Sequence, residues 1–267
     1  MLTVHDVFEY LCSLAPVGMK MDFDNVGFLV GCGGAAVSRI LVSLDITHEV
    51  ISEALDVKAD LIVSHHPLFF SLTSVTDGDI KSRKVVRLLS GGISAICMHT
   101  NLDAARGGTN DALAKAAGIC SESVVAGILS EDGHLPDGSA FSYGRVGFLK
   151  APCPLRDYLD MLKKALNTNG LRYYDAGRDV HCVAVVGGSG GGELHHAVER
   201  GCDTLVTADV KYDVFLDAKE LGINLIDGDH FCTENLVTGV LVDQLRSAFT
   251  GLEVSVAKCH EQTVKFF

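Results

Sequence analysis

The stretch Leu61-Ile62-Val63-Ser64-His65-His66-Pro67 predicts a short buried strand that ends at two histidines and a proline. Apolar strands and amphipathic helices alternate on both sides of it, with strands predicted at 40–44 and 93–97 and helices at 48–57 and 80–89. This alternation is typical of βαβ units, in which helices cover a mostly parallel sheet. We therefore predict an α/β fold for the first half of the chain.

The second half of the chain repeats the pattern, with strands predicted at 183–186, 205–207 and 223–226 and helices at 193–199 and 214–221. Residues 54–64 align with residues 197–207, which places Asp60 opposite Asp203. We therefore expect two similar α/β lobes with mostly parallel sheets, joined near the turn-rich segment 127–138. The alternative is that two unrelated βαβ units look alike at this level of detail.

The composition restricts the class of protein. The chain has 267 residues, 48% of them hydrophobic, and a formal net charge of −12. This acidity argues against binding to duplex nucleic acid, because neutralising phosphates requires clustered Lys and Arg.

We expect no membrane span and no secretion signal, since no apolar run is long enough to cross a membrane and no basic segment precedes an apolar one at the start of the sequence. Nine scattered cysteines without a C-x-x-C motif indicate thiols in a reducing cytoplasm.

Three groups of polar residues follow predicted strands, at the edge of an α/β sheet where ligands usually bind. The groups are, in chain order, His65 with His66, His99 with Asp103, and His230 with Glu234. Adjacent side chains on an extended chain point to opposite sides, so His65 and His66 suit two ions better than one. The alternative for these two is a pair of hydrogen-bonded structural histidines. His230 and Glu234 are four residues apart and share a face if a helix begins here.

The other groups also have structural alternatives. Asp103 is a ligand or the N-cap of a helix predicted near 110–117. His99 is a ligand, a proton shuttle or a core histidine. In the third group, Asp229 is an alternative N-cap, and Glu234 is then only an acidic residue favoured by the helix dipole.

Together the three groups form a mixed set of imidazoles and carboxylates. Such a set suits Zn²⁺, Mn²⁺, Fe²⁺ or Co²⁺ better than a thiolate-seeking metal. Five expected ligands are more than the three protein ligands that a catalytic zinc site uses. The set fits two ions about 3.5–4 Å apart that share a bridging carboxylate and keep open positions for water. The chain contains no G-x-S-x-G motif, which argues against a serine nucleophile of that type.

A glycine run at 187–192 lies between a predicted strand and a predicted helix. Backbone amides in such a place can bind phosphate, and Lys211 could add a positive charge. The run lacks the Lys-Ser/Thr pair of a P-loop, however, so a tight turn is the favoured interpretation.

Five motifs together resemble one known family. They are, in chain order, Asp24-Asn25-Val26-Gly27, Ser64-His65-His66-Pro67, His99-Thr100-Asn101-Leu102-Asp103, Thr207-Ala208-Asp209-Val210-Lys211-Tyr212, and Gly228-Asp229-His230 with Glu234. The chain resembles the GTP cyclohydrolase type 2 homologues, dinuclear-metal proteins also called the NGG-interacting-factor-three-like family. The resemblance implies that the second lobe is inserted in the first, with domains at 1–127 with 228–267 and at 128–227. The metal site would lie in the cleft between them, and the family's long middle insertion is absent.

The resemblance also implies the ligand set and the assembly. His65, Asp103 and Glu234 would hold one ion, and His66, His230 and the bridging Glu234 would hold the other. This gives two divalent metal ions (Zn, Fe, Mn or Co) per subunit of a toroidal homo-hexamer.

Three residues depart from the family pattern. Asp213, Phe231 and Phe23 stand where relatives commonly have His, Tyr and Trp. None of the three is an expected metal ligand. The departures therefore concern the substrate pocket and leave the expected metal pair unchanged.

We expect a dinuclear-metal-dependent hydrolase that acts on a nucleotide-like or phosphorylated small molecule. Divalent ions make hydroxide available near neutral pH, and His99 would act as a proton shuttle. One alternative is a non-catalytic metal-binding hexameric scaffold or metal chaperone, whose assembly would depend on metal. Another is a metal-dependent phosphatase, which would release phosphate where a cyclohydrolase releases formate.

Overall fold

The computed structural model of the protein describes residues 1–121 and 126–267. In the first part, helices and strands alternate in the order α1 (Val4–Leu14), β1 (Gly27–Val30), β2 (Arg39–Ser43), α2 (His48–Asp56), β3 (Leu61–Ser64), α3 (Ile80–Ser90), β4 (Ser94–Cys97) and α4 (Thr100–Ala104). Thr3, Thr47 and Asp79 each accept a hydrogen bond from a backbone N–H in the first turn of α1, α2 and α3, which fixes where these helices begin.

The chain continues with α5 (Thr109–Ala116), β5 (Gly127–Ile128), β6 (Gly133–His134), β7 (Ala140–Phe141), β8 (Arg145–Cys153), α6 (Leu155–Ala165), β9 (Arg172–Tyr174), β10 (Val180–Val185), α7 (Leu194–Glu199), β11 (Thr204–Thr207), α8 (Tyr212–Leu221), β12 (Asn224–Asp227), α9 (His230–Glu234), α10 (Leu236–Ala248) and β13 (Glu253–Val256). Among the helices of the described residues, none has the length and apolar character that a membrane crossing requires.

Two compact units divide the chain. Unit 1 consists of Met1–Arg106 and Val237–Glu261, and unit 2 consists of Gly107–Leu236 and Gln262–Phe267. The domains predicted from the sequence change at 127/128 and 227/228 instead. The predicted boundaries describe domains that fold as separate segments, which the two compact units do not test, so these boundaries stay a prediction.

The sheet of unit 1 has the strand order β1-β4-β3-β2-β13. Its pairings are parallel except for β1, which runs antiparallel to β4 at the edge. Every residue of β3 and β4 is buried, as expected for central strands covered on both faces. The predicted helices and strands of this half are confirmed, and α2 and α3 pack apolar residues such as Val50, Ile51 and Leu88 into the core.

The sheet of unit 2 has the order β5-β8-β10-β11-β12-β9. Its central strands β10, β11 and β12 are parallel, and the strands outside them are antiparallel. The strands β6 and β7 form a small separate ladder. The predicted α/β fold with mostly parallel sheets is confirmed, and the parallel pairings of this second sheet lie at its centre. The segment 127–138, predicted as the join between lobes, lies within unit 2.

The two aspartates that the sequence alignment places opposite each other both link neighbouring parallel strands of their sheets. In unit 1 the Asp60 carboxylate accepts hydrogen bonds from the backbone N–H of Arg39 (2.9 Å) and of the residue before it. In unit 2 the Asp203 carboxylate accepts hydrogen bonds from the N–H of Cys182 (2.7 Å) and of the residue before it. Asp60 therefore holds the start of β3 against the start of β2, and Asp203 holds the start of β11 against the first residues of β10.

Candidate functional site

Three histidines of unit 1 lie close together beyond the carboxyl ends of β3 and β4. His65 and His66 follow β3 directly, and the backbone N–H of His66 donates to Leu44 O (2.8 Å), which keeps the chain extended past the strand end. The ring centroids of His65 and His66 are 5.1 Å apart, and His99 lies 5.3 Å from His65 and 5.4 Å from His66. The three residues each offer a nitrogen within 4.8 Å of the others, as a metal-binding group requires.

Asp103 joins this group from α4. Its Oδ1 lies 3.4 Å from His65 Nε2, and the His65 side chain is fully buried. The alternative that Asp103 caps the following helix is wrong, because Asp103 lies inside α4 and Gly108 occupies the N-cap of α5. Unit 1 therefore brings together four of the sequence-predicted site residues.

Each of the three imidazoles in this group has its Nδ1 atom within hydrogen-bond distance of an oxygen. His65 Nδ1 lies 2.8 Å from Met98 O. His66 Nδ1 lies 2.7 Å from Asp45 Oδ1, and His99 Nδ1 lies 2.9 Å from Asp24 Oδ1. A carbonyl oxygen only accepts, so His65 Nδ1 donates to it. The neutral ring then has its lone pair on Nε2, the nitrogen that faces Asp103.

The two carboxylates that lie against the Nδ1 atoms of His66 and His99 are held as anions. Burial raises the pKa of Asp24, but hydrogen bonds from His99 and Thr100 outweigh it and lower the pKa to about 2. Burial likewise raises the pKa of Asp45, and hydrogen bonds from His260 and His66 outweigh it, so the pKa lies well below its usual range. Asp45 and Asp24 can therefore orient His66 and His99 as charged acceptors at neutral pH.

Unit 2 contributes a second, smaller group at the start of α9. His230 Nε2 lies 3.0 Å from Glu234 Oε2, so the prediction that these residues share a helix face is confirmed. His230 Nδ1 lies 2.7 Å from Asp209 Oδ2. Asp229 accepts a hydrogen bond from Cys232 N (3.2 Å), which confirms its alternative role as N-cap. Capping and the His–Glu pairing thus occur together.

Two aspartates next to this group have left-handed backbones. Asp209 has φ of 51° and Asp229 has φ of 72°, values that L-residues rarely adopt. Asp209 follows β11 and Asp229 follows β12, so the unusual conformation turns the chain sharply at two neighbouring strand ends. Strained residues of this kind concentrate at functional sites.

The glycine run at 187–192 forms a turn that packs against Glu234. The N–H groups of Gly187 and Gly188 donate to Asn110 Oδ1 (2.8 Å) and Thr233 Oγ1 (3.2 Å), so these amides are already engaged. Gly188 has φ of 61°, and a Cβ atom there would overlap Glu234 Oε1. The structure supports the tight-turn interpretation. It also explains why residue 188 is glycine, since only a hydrogen atom fits beside the Glu234 carboxylate.

The family model Duf34/NIF3 (NGG1p interacting factor 3) matches residues 2–263. The chain belongs to this family. A "GTP cyclohydrolase 1 type 2 homolog" of Clostridium acetobutylicum is 34% identical over 238 residues, covering 87% of this chain and 85% of that protein. A protein of the same name from Clostridium perfringens is also 34% identical, over 235 residues and 87% of each chain. The expected family resemblance is therefore confirmed.

Solved structures of the Duf34/NIF3 kind share the fold. A Bacillus cereus protein related to NIF3 superposes with a TM-score of 0.91 at 21% identity, covering 100% of this chain and 99% of that chain. A hypothetical protein of Staphylococcus aureus gives a TM-score of 0.87 at 25% identity, with 99% of both chains covered.

Sequence reasoning missed the carboxylates that engage the histidine Nδ1 atoms. Asp45 comes two residues after β2 and Asp209 two residues after β11. Their positions just beyond strand ends could therefore have marked them as candidate site residues. Asp24 lies in the Asp24-Asn25-Val26-Gly27 motif, but nothing in its local pattern indicated that it contacts His99. Asp24 and His99 are separated by 75 residues, and only the tertiary fold pairs them.

Proposed function

We propose that His65, His66, Asp103, His230 and Glu234 together hold two divalent metal ions, each being Zn, Fe, Mn or Co. The observation that carries this proposal is the repeated engagement of histidine Nδ1 by an oxygen, at His65, His66 and His230. Histidines that bind metals through Nε2 usually donate their other nitrogen to a carboxylate or carbonyl in this way. Imidazole nitrogens and carboxylate oxygens are also the donor set that these metals prefer.

The family resemblance supports the division of ligands between the ions. His65, Asp103 and Glu234 would hold one ion, and His66, His230 and Glu234 would hold the other. Within unit 1, Asp103 lies beside His65, and within unit 2, Glu234 lies beside His230. In both units a carboxylate and an imidazole are therefore adjacent, as the ligands of one ion have to be.

The reaction that such a site supports best is hydrolysis of a nucleotide-like or phosphorylated small molecule. When bound, divalent ions supply hydroxide near neutral pH and stabilise developing negative charge. His99 would move the proton, because Asp24 engages Nδ1 and orients the ring next to His65 and His66. The relatives' names make opening of the guanine ring of GTP the narrowest form of this proposal.

The metal part of the proposal is tested by metal content. Wild-type protein purified without added metal is compared with Glu234→Ala by mass spectrometry of bound elements. The expected result is up to about two ions per wild-type chain and strong loss in the variant, since Glu234 would serve as a ligand of both ions. Glu220→Ala, an exposed change on α8, is the matched control and should retain its metal. Full metal content in Glu234→Ala would contradict the bridging role.

The hydrolase part is tested by turnover. Fully metallated protein is screened against GTP, phosphomonoesters and cyclic amidines while formate and phosphate are measured separately. Formate release identifies a cyclohydrolase, and phosphate release identifies the phosphatase alternative. No turnover of any of these compounds by the metallated protein would contradict the hydrolase proposal.

We also propose a homo-hexamer that works in the cytoplasm. The family resemblance supports the hexamer. The nine cysteines are all free thiols, which supports a reducing compartment. Light scattering of the purified protein should give six times the mass of one chain, and a monomeric mass would contradict the assembly.

A further inference from the structure

Two exposed phenylalanines stand beside the histidine group of unit 1. Phe23 is 65% exposed and Phe70 is 51% exposed. Their ring centroids are 6.1 Å apart with the planes tilted by 52°. Phe70 lies in turn 6.1 Å from the His99 ring, in an edge-on arrangement. The three rings thus form a continuous row that leads from solvent to the imidazole group.

The backbone that presents these two rings is anchored on both sides. Asn25 Nδ2 donates to Phe69 O (2.7 Å), which ties the segment of Phe23 to the segment of Phe70. Asp24, next to Phe23, is buried and accepts a hydrogen bond from the backbone N–H of Thr100 (3.1 Å). The backbone segments that carry Phe23 and Phe70 are therefore tied to each other and to α4, while both phenylalanines are at least half exposed.

A positive charge lies on the same segment. Lys20 Nζ donates to Asp24 O at 2.8 Å, so the ammonium group lies close to the residue that follows Phe23. The protein as a whole carries a net charge of −12, which repels anions at long range. A cation on the segment that carries Phe23 can thus attract a phosphate group locally.

We propose that the Phe23–Phe70 pair stacks the planar heteroaromatic ring of a nucleotide whose phosphate pairs with Lys20. Every nucleobase has a π-face, so exposed phenylalanine rings can bind it without base-specific hydrogen bonds. The ring row ends at His99, which would bring the stacked ring next to the histidine group. The inference rests on the proposed function only in assigning this nucleotide as the molecule that is hydrolysed.

The chain contains no tryptophan, which makes a direct binding assay possible. Phe23→Trp introduces one fluorophore and preserves an aromatic face. Titration with guanosine 5′-monophosphate should quench its fluorescence saturably, and ribose 5-phosphate should not. Phe70→Ala in the same background should weaken binding by about tenfold, within the range measured for loss of a base-stacking ring. Circular dichroism verifies that each variant remains folded.

Phe148→Trp is the matched control. Phe148 is 63% exposed, and its ring lies 5.4 Å from the His181 ring in unit 2. It therefore resembles Phe23 in exposure and, like Phe70, has a histidine ring as a neighbour. Equal quenching in this control, or unchanged affinity in the Phe70→Ala variant, would overturn the inference. A fall in oligomeric mass on Phe23→Ala or Phe70→Ala would also overturn it, because a second copy of the chain would then cover the pair.

The assay separates this inference from the proposed function. Quenching is measured at equilibrium and needs no turnover. Saturable quenching together with no turnover of any compound in the screen supports the stacking site and contradicts the hydrolase. Hydrolysis without saturable quenching contradicts the stacking site alone.

Discussion

At the scale of single residues, Asp209 illustrates how a carboxylate outside the proposed ligand set can govern a histidine. Its Oδ2 lies 2.7 Å from His230 Nδ1, and its side chain is 54% exposed. The contact fixes the direction of the ring, so that Nε2 is presented next to Glu234. The backbone of Asp209 is left-handed, a conformation that aspartate and asparagine tolerate better than most residues.

Asp209→Asn therefore tests the charge of this contact with little change in backbone preference. We expect metal affinity to fall by about 10–100-fold, the usual effect of changing a group that orients a metal-bound histidine. Competition with a chelator of known affinity measures the change. Asp213→Asn, an exposed substitution on α8, should leave the affinity unchanged. Equal affinities for Asp209→Asn and wild type would show that the contact does not support the site.

Gly188→Ala tests the close packing of the glycine run against Glu234. An alanine would have to adopt φ of 61°, and its Cβ would overlap Glu234 Oε1. We expect a loss of about 1 kcal/mol or more in unfolding free energy together with reduced metal content, because the carboxylate must move. Gly192→Ala meets no atom within 4 Å and should leave both quantities unchanged. Normal metal content in Gly188→Ala would mean that the carboxylate tolerates the shift.

At the scale of elements, the aspartates at the starts of β3 and β11 perform equivalent structural tasks. The pKa of Asp60 is lowered, because hydrogen bonds from Ser38 and Arg39 outweigh the effect of burial. A carboxyl group whose pKa is depressed by folding stabilises the fold above its unfolded pKa, near 4, and loses that contribution as the pH falls through its folded pKa.

Asp60→Asn should therefore reduce the free energy of unfolding at pH 7 by about 1–3 kcal/mol, as for hydrogen bonds to a charged group. The difference from wild type should shrink as the pH falls below about 4. Asp203→Asn is the equivalent change in unit 2 and should also destabilise the protein at pH 7. Denaturant titrations at several pH values measure Asp60→Asn, and a titration at pH 7 measures Asp203→Asn. A difference that persists unchanged at pH 3 would contradict the assignment to the charged carboxylate.

The sequence predicts the central strands well because they are short apolar runs buried on both faces. The strand predicted at 61–64 coincides with β3, and the strand predicted at 183–186 overlaps β10, which begins three residues earlier. The long strand β8 was missed, because its residues alternate irregularly between partly buried and exposed positions. The strands β1 and β9 were missed for a related reason, since three- and four-residue edge strands carry little periodic signal.

The candidate site could likewise be predicted only in part from the sequence. Strand ends carry the polar residues that bind ligands in α/β sheets, so the histidines and acids at these ends could be selected from the sequence. The contacts between His66 and Asp45, or between His99 and Asp24, join residues from separate elements. Local pattern contains no information about such pairs, so the orientation of each ring appears only in the folded structure.

At the scale of the whole molecule, the segment Gln262–Phe267 belongs to unit 2 although the residues before it belong to unit 1. Asn169 connects to it through hydrogen bonds from Asn169 N to Gln262 Oε1 (3.1 Å) and from Phe266 N to Asn169 Oδ1 (3.1 Å). The Phe266 ring packs against Gly170, where any added Cβ would collide with it. The segment is thus a packed part of unit 2.

A chain that stops at Glu261 should consequently unfold at a lower temperature than the full chain, by several degrees. The expected size follows from losing a few hydrogen bonds and one packed ring, each worth about 1 kcal/mol or more. Removal of Phe267 alone is the control, because its side chain is exposed. Differential scanning calorimetry provides the comparison. Equal melting temperatures for the shortened and full chains would show that the segment contributes nothing to unit 2.

The placement of β13 has a consequence for biosynthesis. β13 pairs with β2 in parallel, although more than two hundred residues separate the two strands along the chain. A nascent polypeptide leaving the ribosome therefore exposes the unpaired edge of β2 until β13 has itself emerged. An open strand edge is a template for intermolecular pairing, so chaperone binding during this interval would protect the emerging protein from aggregation.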